Sequence, residues 1–247
     1  MSEKILSGKV ALVTGGSRGI GAAAARRLAG LGADVVITYV TQAERAKTVV
    51  EELRSQGVRA EGIQADQSDR AQVTAMVETV VQHFGRIDIL VNSAGVFRPG
   101  EITDAVRDKQ LAINLTGVAD TTYRVVRHMP EGGRIVNLSS GLASKTFAAG
   151  MSDYAATKAA VTAYTRGWAQ DFAARGINVN VIECGIIDTE MAMAKDSAGG
   201  QFMLQAVIPM HRYAGTDEVA GVVAFLCGPD AAYMTGSILR VDGGALA

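Results

Sequence analysis

Short apolar runs rich in β-branched residues alternate along the chain with longer stretches of helical character, and this alternation constrains the fold most. A parallel sheet covered by helices on both faces is what such a pattern predicts, because strands buried on both sides need near-continuous apolar sequences. Six runs are strongly apolar and a seventh, RAEGIQA at 59–65, is weaker. The six strong runs are VALVT at 10–14, DVVITYV at 34–40, IDILVN at 87–92, GRIVNLS at 133–139, INVNVIE at 177–183 and SILRVD at 237–242.

The chain gives no sign of a division into separate domains. It holds 247 residues with only four prolines, and neither a linker nor an internal repeat interrupts it. Single α/β domains reach this length, and a hydrophobic content of 48% is typical of a well-filled interior. We therefore expect one domain spanning 1–247.

Charge and cysteine content limit the possible partners. The formal net charge of −1 and the isoelectric point near 6.3 give no electrostatic footprint for nucleic acid or for a membrane surface. Cys184 and Cys227 lack the spacing of a zinc site or a disulfide scaffold. The sequence contains neither a signal peptide pattern nor an 18-residue apolar stretch. We expect a cytoplasmic protein with no metal, whose partners are small molecules or other subunits.

The segment at about 188–213 departs from the alternating pattern. It carries four methionines and a Gly-Gly pair without a strand-like run. Methionine is adaptable apolar filling. The segment is therefore either a loosely packed helical excursion or a lid over a partly apolar ligand.

TGGSRGIG at 14–21 follows the first strand and opens the first helix. Its glycines permit a tight turn, and the helix N-terminus directs free N–H groups at the ligand, so a phosphate is the natural occupant. The spacing is G-x-x-x-G-x-G and differs from the common dinucleotide fingerprint. The same residues satisfy G-x-S-x-G, which makes Ser17 a formal hydrolase nucleophile. That alternative is disfavoured, because only one strand precedes Ser17 and none of the three histidines lies in a motif that ties it to a serine.

DYAATK at 153–158 places a phenol and a primary amine four residues apart. In a helix, Tyr154 and Lys158 share one face. Such pairs are common on solvated helix surfaces, so the pair alone does not establish any chemistry.

Four motifs taken together, in this order and each after the right element, resemble the short-chain dehydrogenase/reductase family. They are TGGSRGIG, NSAG at 92–95, NLSS at 137–140 and YAATK at 154–158. The resemblance covers essentially the whole chain and is closest to the 3-oxoacyl carrier-protein reductases and related ketoreductases. It implies a Rossmann-like, doubly wound parallel sheet of seven strands in the order 3-2-1-4-5-6-7. It also implies a nicotinamide cofactor, a small carbonyl substrate and a homotetramer.

The resemblance assigns the cofactor contacts residue by residue. Asp66 would face the adenine, and the NSAG motif, with Ser93 in place of the commoner asparagine, would flank the adenine ribose. Beyond a Cys184-Gly185 pair that replaces the family's Pro-Gly turn, backbone would hold the carboxamide. The residues so assigned are Gly15, Ser17, Arg18, Gly19, Ile20, Gly21, Asp66, Asn92, Ala94, Gly95, Gly185, Ile187 and Thr189, together with Tyr154 and Lys158.

The second strand indicates which nicotinamide cofactor is used. NAD enzymes of this architecture place a carboxylate after that strand to bind the ribose hydroxyls. Here the strand ends TYVTQ, and the nearest acid, Glu44, falls inside the next helix. Arg18 is placed to pair with a 2′-phosphate. NADP(H) is therefore favoured over NAD(H).

The resemblance also assigns the catalytic roles. Tyr154 would donate a proton to the carbonyl that receives hydride, Ser140 would hydrogen-bond the carbonyl oxygen, and Asn114 would support a water relay to Lys158. A lysine ammonium about 5 Å from the phenol, at an effective dielectric near 20, favours the phenolate by about 3 kcal/mol. We therefore expect the pKa of Tyr154 to fall toward about 8.

The substrate itself is not specified by any motif. Phe97, Leu142, Met191 and Phe202, with Ser140 and Tyr154, are expected to line the substrate pocket, which indicates an apolar wall. A non-catalytic nucleotide-binding or regulatory protein of the same fold is the alternative to a reductase, and the intact Ser140, Tyr154 and Lys158 argue against it.

Overall fold

The computed structural model describes residues 4–100 and 103–247. Its sheet has seven parallel strands in the order β3-β2-β1-β4-β5-β6-β7, as the resemblance implied. The strands are β1 Val10–Val13, β2 Asp34–Tyr39, β3 Ala60–Gln64, β4 Ile89–Asn92, β5 Arg134–Ser140, β6 Asn178–Cys184 and β7 Ile238–Val241.

In the described residues, eight α-helices accompany the strands, and three of them pack on each face of the sheet. One apolar layer joins α1, α2 and α8 to one face, and a second joins α3, α5 and α6 to the other. Both faces are thus buried, which explains the near-continuous apolar strands. The helices are α1 Gly19–Gly30, α2 Ala43–Ser55, α3 Arg70–Phe84, α4 Asp104–Leu111, α5 Gly117–Val126, α6 Ser152–Phe172, α7 Ala198–Phe202 and α8 Thr216–Cys227. None of the helices in the described residues is long and apolar enough to cross a membrane.

One strand boundary differs from the sequence expectation for a clear reason. The fourth strand begins at Ile89, not at 87. The Asp88 side chain instead accepts a hydrogen bond from the Val10 N–H at 3.0 Å and pairs with Arg86 at 2.6 Å and Lys9 at 3.3 Å. This buried carboxylate holds the start of β1 to the start of β4.

The segment at 188–213 folds over the carboxyl ends of the strands. It contains α7 and a π-helical turn at Met203–Val207. Met203, Ile208 and Tyr213 form a small apolar cluster of their own, separate from the two main layers. The segment is therefore packed, both within itself and against the chain after β7 at Gly243 and Gly244.

Candidate active site

A cleft of about 1180 Å³ opens at the carboxyl edge of the sheet. The strand order reverses between β1 and β4, and ligands of doubly wound sheets bind at such a switch point. The cleft extends from the glycine turn after β1 to the ends of β5 and β6 and the segment at 188–213.

The glycine turn packs too closely for side chains. A Cβ on Gly15, whose φ is +66°, would lie 2.9 Å from the Ala94 Cα, and one on Gly21 would lie 2.4 Å from the Gly15 carbonyl oxygen. The Thr14 hydroxyl accepts hydrogen bonds from the N–H groups of Ser93 and Ala94 at 3.0 and 3.1 Å. No side chain caps the start of α1. The positive end of this helix therefore faces the cleft and is suited to a phosphate.

Arg18 does not extend freely into the cleft. Its Nη1 lies 2.6 Å from a carboxylate oxygen of Glu190, and Arg45 in the first turn of α2 binds the other oxygen. All three side chains are about half exposed. Arg18, the arginine expected to bind an anion, is thus joined by a second one, Arg45. Both are held by Glu190, which belongs to the segment at 188–213.

The NSAG turn lines the cleft with Ser93, Ala94 and Gly95, but Asn92 does not line it. Asn92 is 2% exposed, and its Nδ2 donates to the Asn137 Oδ1 at 2.8 Å and to the Thr122 hydroxyl at 3.1 Å. Its side chain is therefore engaged within the protein, and the expected contact of Asn92 with the cofactor stays a prediction. As the last residue of β4, Asn92 ties that strand to β5 and α5 through these hydrogen bonds.

The remaining adenosine-end residues lie in the cleft. Asp66 accepts hydrogen bonds from the Ser68 N–H at 2.8 Å and the Ser68 hydroxyl at 2.6 Å, which fixes its carboxylate after β3. Ser17, Gly19 and Ile20 also line the cleft.

The histidines give no sign of a hydrolase site. In the described residues, the ring nitrogens of His83 and His211 bind Glu61 and the Leu204 carbonyl, and no histidine hydrogen bond to Ser17 is found. The hydrolase alternative therefore gains no support.

Ser140, Tyr154 and Lys158 meet in the opposite half of the cleft. Ser140 ends β5, while Tyr154 and Lys158 are one helical turn apart on α6. The Lys158 Nζ lies 5.8 Å from the centroid of the Tyr154 ring and donates to the Leu138 carbonyl at 2.9 Å. Phe97 packs on Tyr154 with 4.7 Å between the ring centroids. The pair shares a helix face, as the spacing predicted, and that face is turned inward.

Burial changes the expected electrostatics of this pair. Desolvation, with a smaller contribution from Cys184, raises the pKa of Tyr154, while the neighbouring Ser140 hydroxyl acts in the opposite direction. The lowered pKa expected for Tyr154 is therefore wrong for this structure. Tyr154 is nevertheless only partly buried and lines the cleft. Burial also lowers the pKa of Lys158 to about 8. Lys158 is thus the group of the pair that titrates near neutrality.

Asn114 lies in a π-helical turn, Ala112–Thr116, between α4 and α5. It is fully buried; its Oδ1 accepts from the Val96 N–H at 2.8 Å, and its Nδ2 donates to the Val96 carbonyl at 2.8 Å. A Cβ on Gly95 would lie 3.4 Å from the Asn114 Oδ1 and 3.6 Å from the Lys158 Nζ. Asn114 therefore anchors the loop after β4 beside Lys158.

The turn after β6 closes the same end of the cleft. A Cβ on Gly185 would lie 2.6 Å from the Asp242 Cα, so the close approach of the chain just after β7 requires glycine. Ile187 is buried and forms an isolated bridge with Ala214, and the Thr189 hydroxyl donates to the Ile187 carbonyl at 3.3 Å. Burial raises the pKa of the Cys184 thiol to about 12, so this thiol stays protonated.

The apolar wall differs from the expected one at two positions. Phe97, Leu142 and Met191 line the cleft, whereas Phe202 is 54% exposed and lies outside it. The π-helical turn that follows α7 presents the adjacent Met203 to the cleft instead. Leu246, which no sequence motif indicated, completes the wall.

Comparison with known proteins agrees with this geometry. The family profile described as Enoyl-(Acyl carrier protein) reductase matches residues 15–245. The 3-oxoacyl-(acyl-carrier-protein) reductase of Staphylococcus aureus is 38% identical over 242 residues, which cover 96% of this chain and 97% of that protein. The chain belongs to the short-chain dehydrogenase/reductase family of oxidoreductases.

Two further similar proteins bind a nucleotide, according to their descriptions. A crystal structure of a short chain dehydrogenase from Burkholderia cenocepacia in complex with NADP matches with a TM-score of 0.95 at 46% identity, covering 98% of this chain and all of that one. The cyclic-di-GMP-binding biofilm dispersal mediator protein of Escherichia coli is 38% identical over 240 residues, covering 96% of this chain and 97% of that protein.

Several residues of the site were not found by sequence reasoning, among them Arg45, Glu190 and Leu246. Arg45 and Glu190 meet across 145 positions, and Leu246 reaches the cleft only because the chain turns back after β7. The position of Arg45 just after β2 is a usable signal, because the ribose of a dinucleotide binds near that strand end. Nothing in the sequence around Glu190 or Leu246 indicates the contact.

Proposed function

We propose that this protein is an NADPH-dependent ketoreductase that reduces a ketone or a 3-oxoacyl carbonyl, with Tyr154 as the proton donor. The observation that carries the proposal is that Ser140, Tyr154 and Lys158 open into the same cleft as the glycine turn. A proton donor and a dinucleotide cradle in one cleft are what carbonyl reduction needs.

The residues of the cradle fit a dinucleotide. Gly15 and Gly21 leave no room for side chains, and the uncapped start of α1 offers N–H groups to a pyrophosphate. Asp66, Ala94 and Gly95 are available to the adenosine half, and Lys158, Gly185, Ile187 and Thr189 to the nicotinamide half. When bound, the nicotinamide supplies the hydride.

The residues after β2 favour NADP(H). Val40, Thr41 and Gln42 line the cleft there and carry no carboxylate for the ribose hydroxyls. Arg18 and Arg45 instead provide two guanidinium groups for a 2′-phosphate. The relative from Burkholderia cenocepacia was crystallised with NADP, which agrees with this preference.

The chain's own side chains manage the proton and the developing charge. The raised pKa of Tyr154 keeps its hydroxyl protonated at neutral pH, so it is ready to donate to the carbonyl oxygen. Ser140 is placed to hydrogen-bond the same oxygen as negative charge develops on it. Lys158, charged below pH of about 8, stabilises the tyrosinate left after donation.

The proposal is tested by following NADPH oxidation with a panel of ketones and 3-oxoacyl thioesters. Tyr154→Phe removes the donor hydroxyl and is expected to lower kcat at least about 100-fold. Tyr233→Phe is the matched control, because Tyr233 is fully exposed and lies outside the cleft. Sustained turnover by Tyr154→Phe would refute the role of the phenol.

A nucleotide-binding regulator is the second candidate, favoured by the similarity to the dispersal mediator of Escherichia coli. It predicts nucleotide binding without turnover of any carbonyl in the panel. The same assay therefore separates the two functions, with wild-type turnover excluding the purely regulatory one.

We also propose that the protein assembles as a homotetramer. Tyr123 on α5 and Tyr164 on α6 expose 44% and 38% of their surface around the buried Trp168, which leaves an aromatic face for a second copy. Light scattering after gel filtration is expected to give four times the chain mass of 25.8 kDa. A monomer at micromolar concentration would contradict this assembly.

A further inference from the structure

We propose that Glu190 competes with the 2′-phosphate of NADP(H): its carboxylate holds Arg18 and Arg45 in the free protein and yields both arginines to the phosphate. The inference rests on the proposed use of NADP(H). It makes Glu190 a residue that sets cofactor affinity and specificity, and it connects the segment at 188–213 to the adenosine end of the cleft.

The geometry places one acid between two arginines from different elements. One Glu190 oxygen lies 2.6 Å from the Arg18 Nη1, and the other binds the Arg45 Nη1. Arg18 precedes α1, Arg45 lies in the first turn of α2, and Glu190 follows the end of β6. The glycine turn and this segment are also neighbours one residue away, because a Cβ on Gly19 would lie 3.5 Å from the Thr189 Cγ2.

The charges explain why the acid and the phosphate exclude each other. Hydrogen bonds from Arg45 and Arg18 hold the pKa of Glu190 below its usual range, so Glu190 is ionised at neutral pH. Two guanidiniums and one carboxylate leave a single positive charge, whereas a phosphate monoester carries between −1.5 and −2 near neutrality. A phosphate that arrives beside Glu190 meets a like charge and competes for the same donors. The phosphate offers more charge and three acceptor oxygens, so it displaces the carboxylate from the two arginines. Its affinity is lower than it would be without Glu190.

The energetic scale of the competition is modest. Each exposed ion pair contributes little, because water and salt screen it. Removal of the carboxylate is therefore expected to tighten binding of a 2′-phosphate about three- to tenfold. It leaves a ligand without that phosphate unaffected.

Binding of adenosine fragments to the purified protein tests the proposal without turnover. The probes are adenosine 2′,5′-bisphosphate and 5′-AMP, which differ only in the 2′-phosphate, and both are measured by calorimetry at fixed ionic strength. Glu190→Gln is expected to lower the Kd for the bisphosphate three- to tenfold and to change the Kd for 5′-AMP less than twofold. Glu218→Gln is the matched control, since Glu218 is a half-exposed acid paired with a single arginine, Arg212, and neither of these residues lines the cleft; it is expected to change neither Kd.

Hydrogen exchange gives a second readout. The bisphosphate lacks the nicotinamide half, so it cannot order the segment at 188–197 from the other end of the cleft. In the wild type, the bisphosphate is expected to speed amide exchange in that segment, because Glu190 loses its partners. In Glu190→Gln, exchange is expected to be fast before any ligand is added.

The outcomes separate this inference from the proposed function. A bisphosphate Kd that rises or stays unchanged in Glu190→Gln overturns the competition, even when the wild type still prefers the bisphosphate to 5′-AMP. A wild type that binds both fragments equally refutes the NADP preference itself, and the inference falls with it. If bisphosphate binding does not speed amide exchange at 188–197 in the wild type, the proposed release of Glu190 from its arginines is also overturned.

Discussion

Tyr154 and Lys158 illustrate what a sequence tells about a reactive pair. Their i, i+4 spacing predicted a shared helix face, and the structure confirms it. Sequence reasoning also predicted that the ammonium lowers the pKa of the phenol. That prediction included the Coulomb effect of the charge but not desolvation, because burial cannot be measured from the sequence. In the structure, desolvation dominates, so the pKa of Tyr154 rises and that of Lys158 falls to about 8.

This reversal predicts the pH dependence of carbonyl reduction. Lys158 is charged below pH 8 and neutral above it, and its charge stabilises the tyrosinate that forms on proton donation. Reduction is therefore expected to be constant around pH 6 to 7 and to fall with an apparent pKa of about 8. The measurement is kcat/KM for the ketone against pH at saturating NADPH.

The Ser140→Ala variant is the control for that profile. It removes a hydrogen bond to the substrate but no titrating group near neutrality, so a lower rate with the same pH limb is expected. A rate that stays level to pH 9.5 would show that Lys158 does not titrate as the structure indicates.

The strands were predicted well, because each is buried along its whole length and therefore has an apolar sequence. The seven apolar runs correspond to the seven strands, including the weak run that became the edge strand β3. Contacts between distant elements were not predictable, because residue patterns report a local environment. Asn92 reads as part of a ligand motif but hydrogen-bonds to Asn137 of β5, and the link of Glu190 to Arg45 spans 145 positions.

The turn after β6 provides a test at this scale. Gly185→Ala places a Cβ 2.6 Å from the Asp242 Cα, and this backbone cannot move without shifting the chain that carries Leu246 into the cleft. We expect a loss of about 2 kcal/mol or more in the free energy of unfolding and a raised KM for the ketone. Urea unfolding and steady-state kinetics check the two effects.

Gly221→Ala in α8 is the matched control, because its added Cβ would meet no atom within 4 Å beyond the adjacent residues and the local backbone of the helix. Alanine is a better helix former than glycine, so the free energy of unfolding is expected to stay unchanged or to rise by up to about 1 kcal/mol. Equal destabilisation by the two substitutions would refute the steric argument for Gly185.

At the scale of the whole molecule, the doubly wound sheet brings the carboxyl ends of its strands to one edge. The glycine turn follows β1, the NSAG turn follows β4, Ser140 ends β5 and Gly185 follows β6, so residues 170 positions apart meet in one cleft. The order of motifs predicted this assembly. The substrate wall was harder to predict, because Met203 and Leu246 come from segments whose path depends on the completed fold.

The central claim is that hydride and proton reach the same carbonyl in this cleft. It is tested most directly with NADPH carrying two deuterium atoms at C4 and a ketone that the wild-type protein turns over. Mass spectrometry of the alcohol is expected to show one deuterium on the carbinol carbon in the wild type and almost no alcohol with Tyr154→Phe. Alcohol without deuterium, or equal amounts of labelled alcohol from both proteins, would contradict the account.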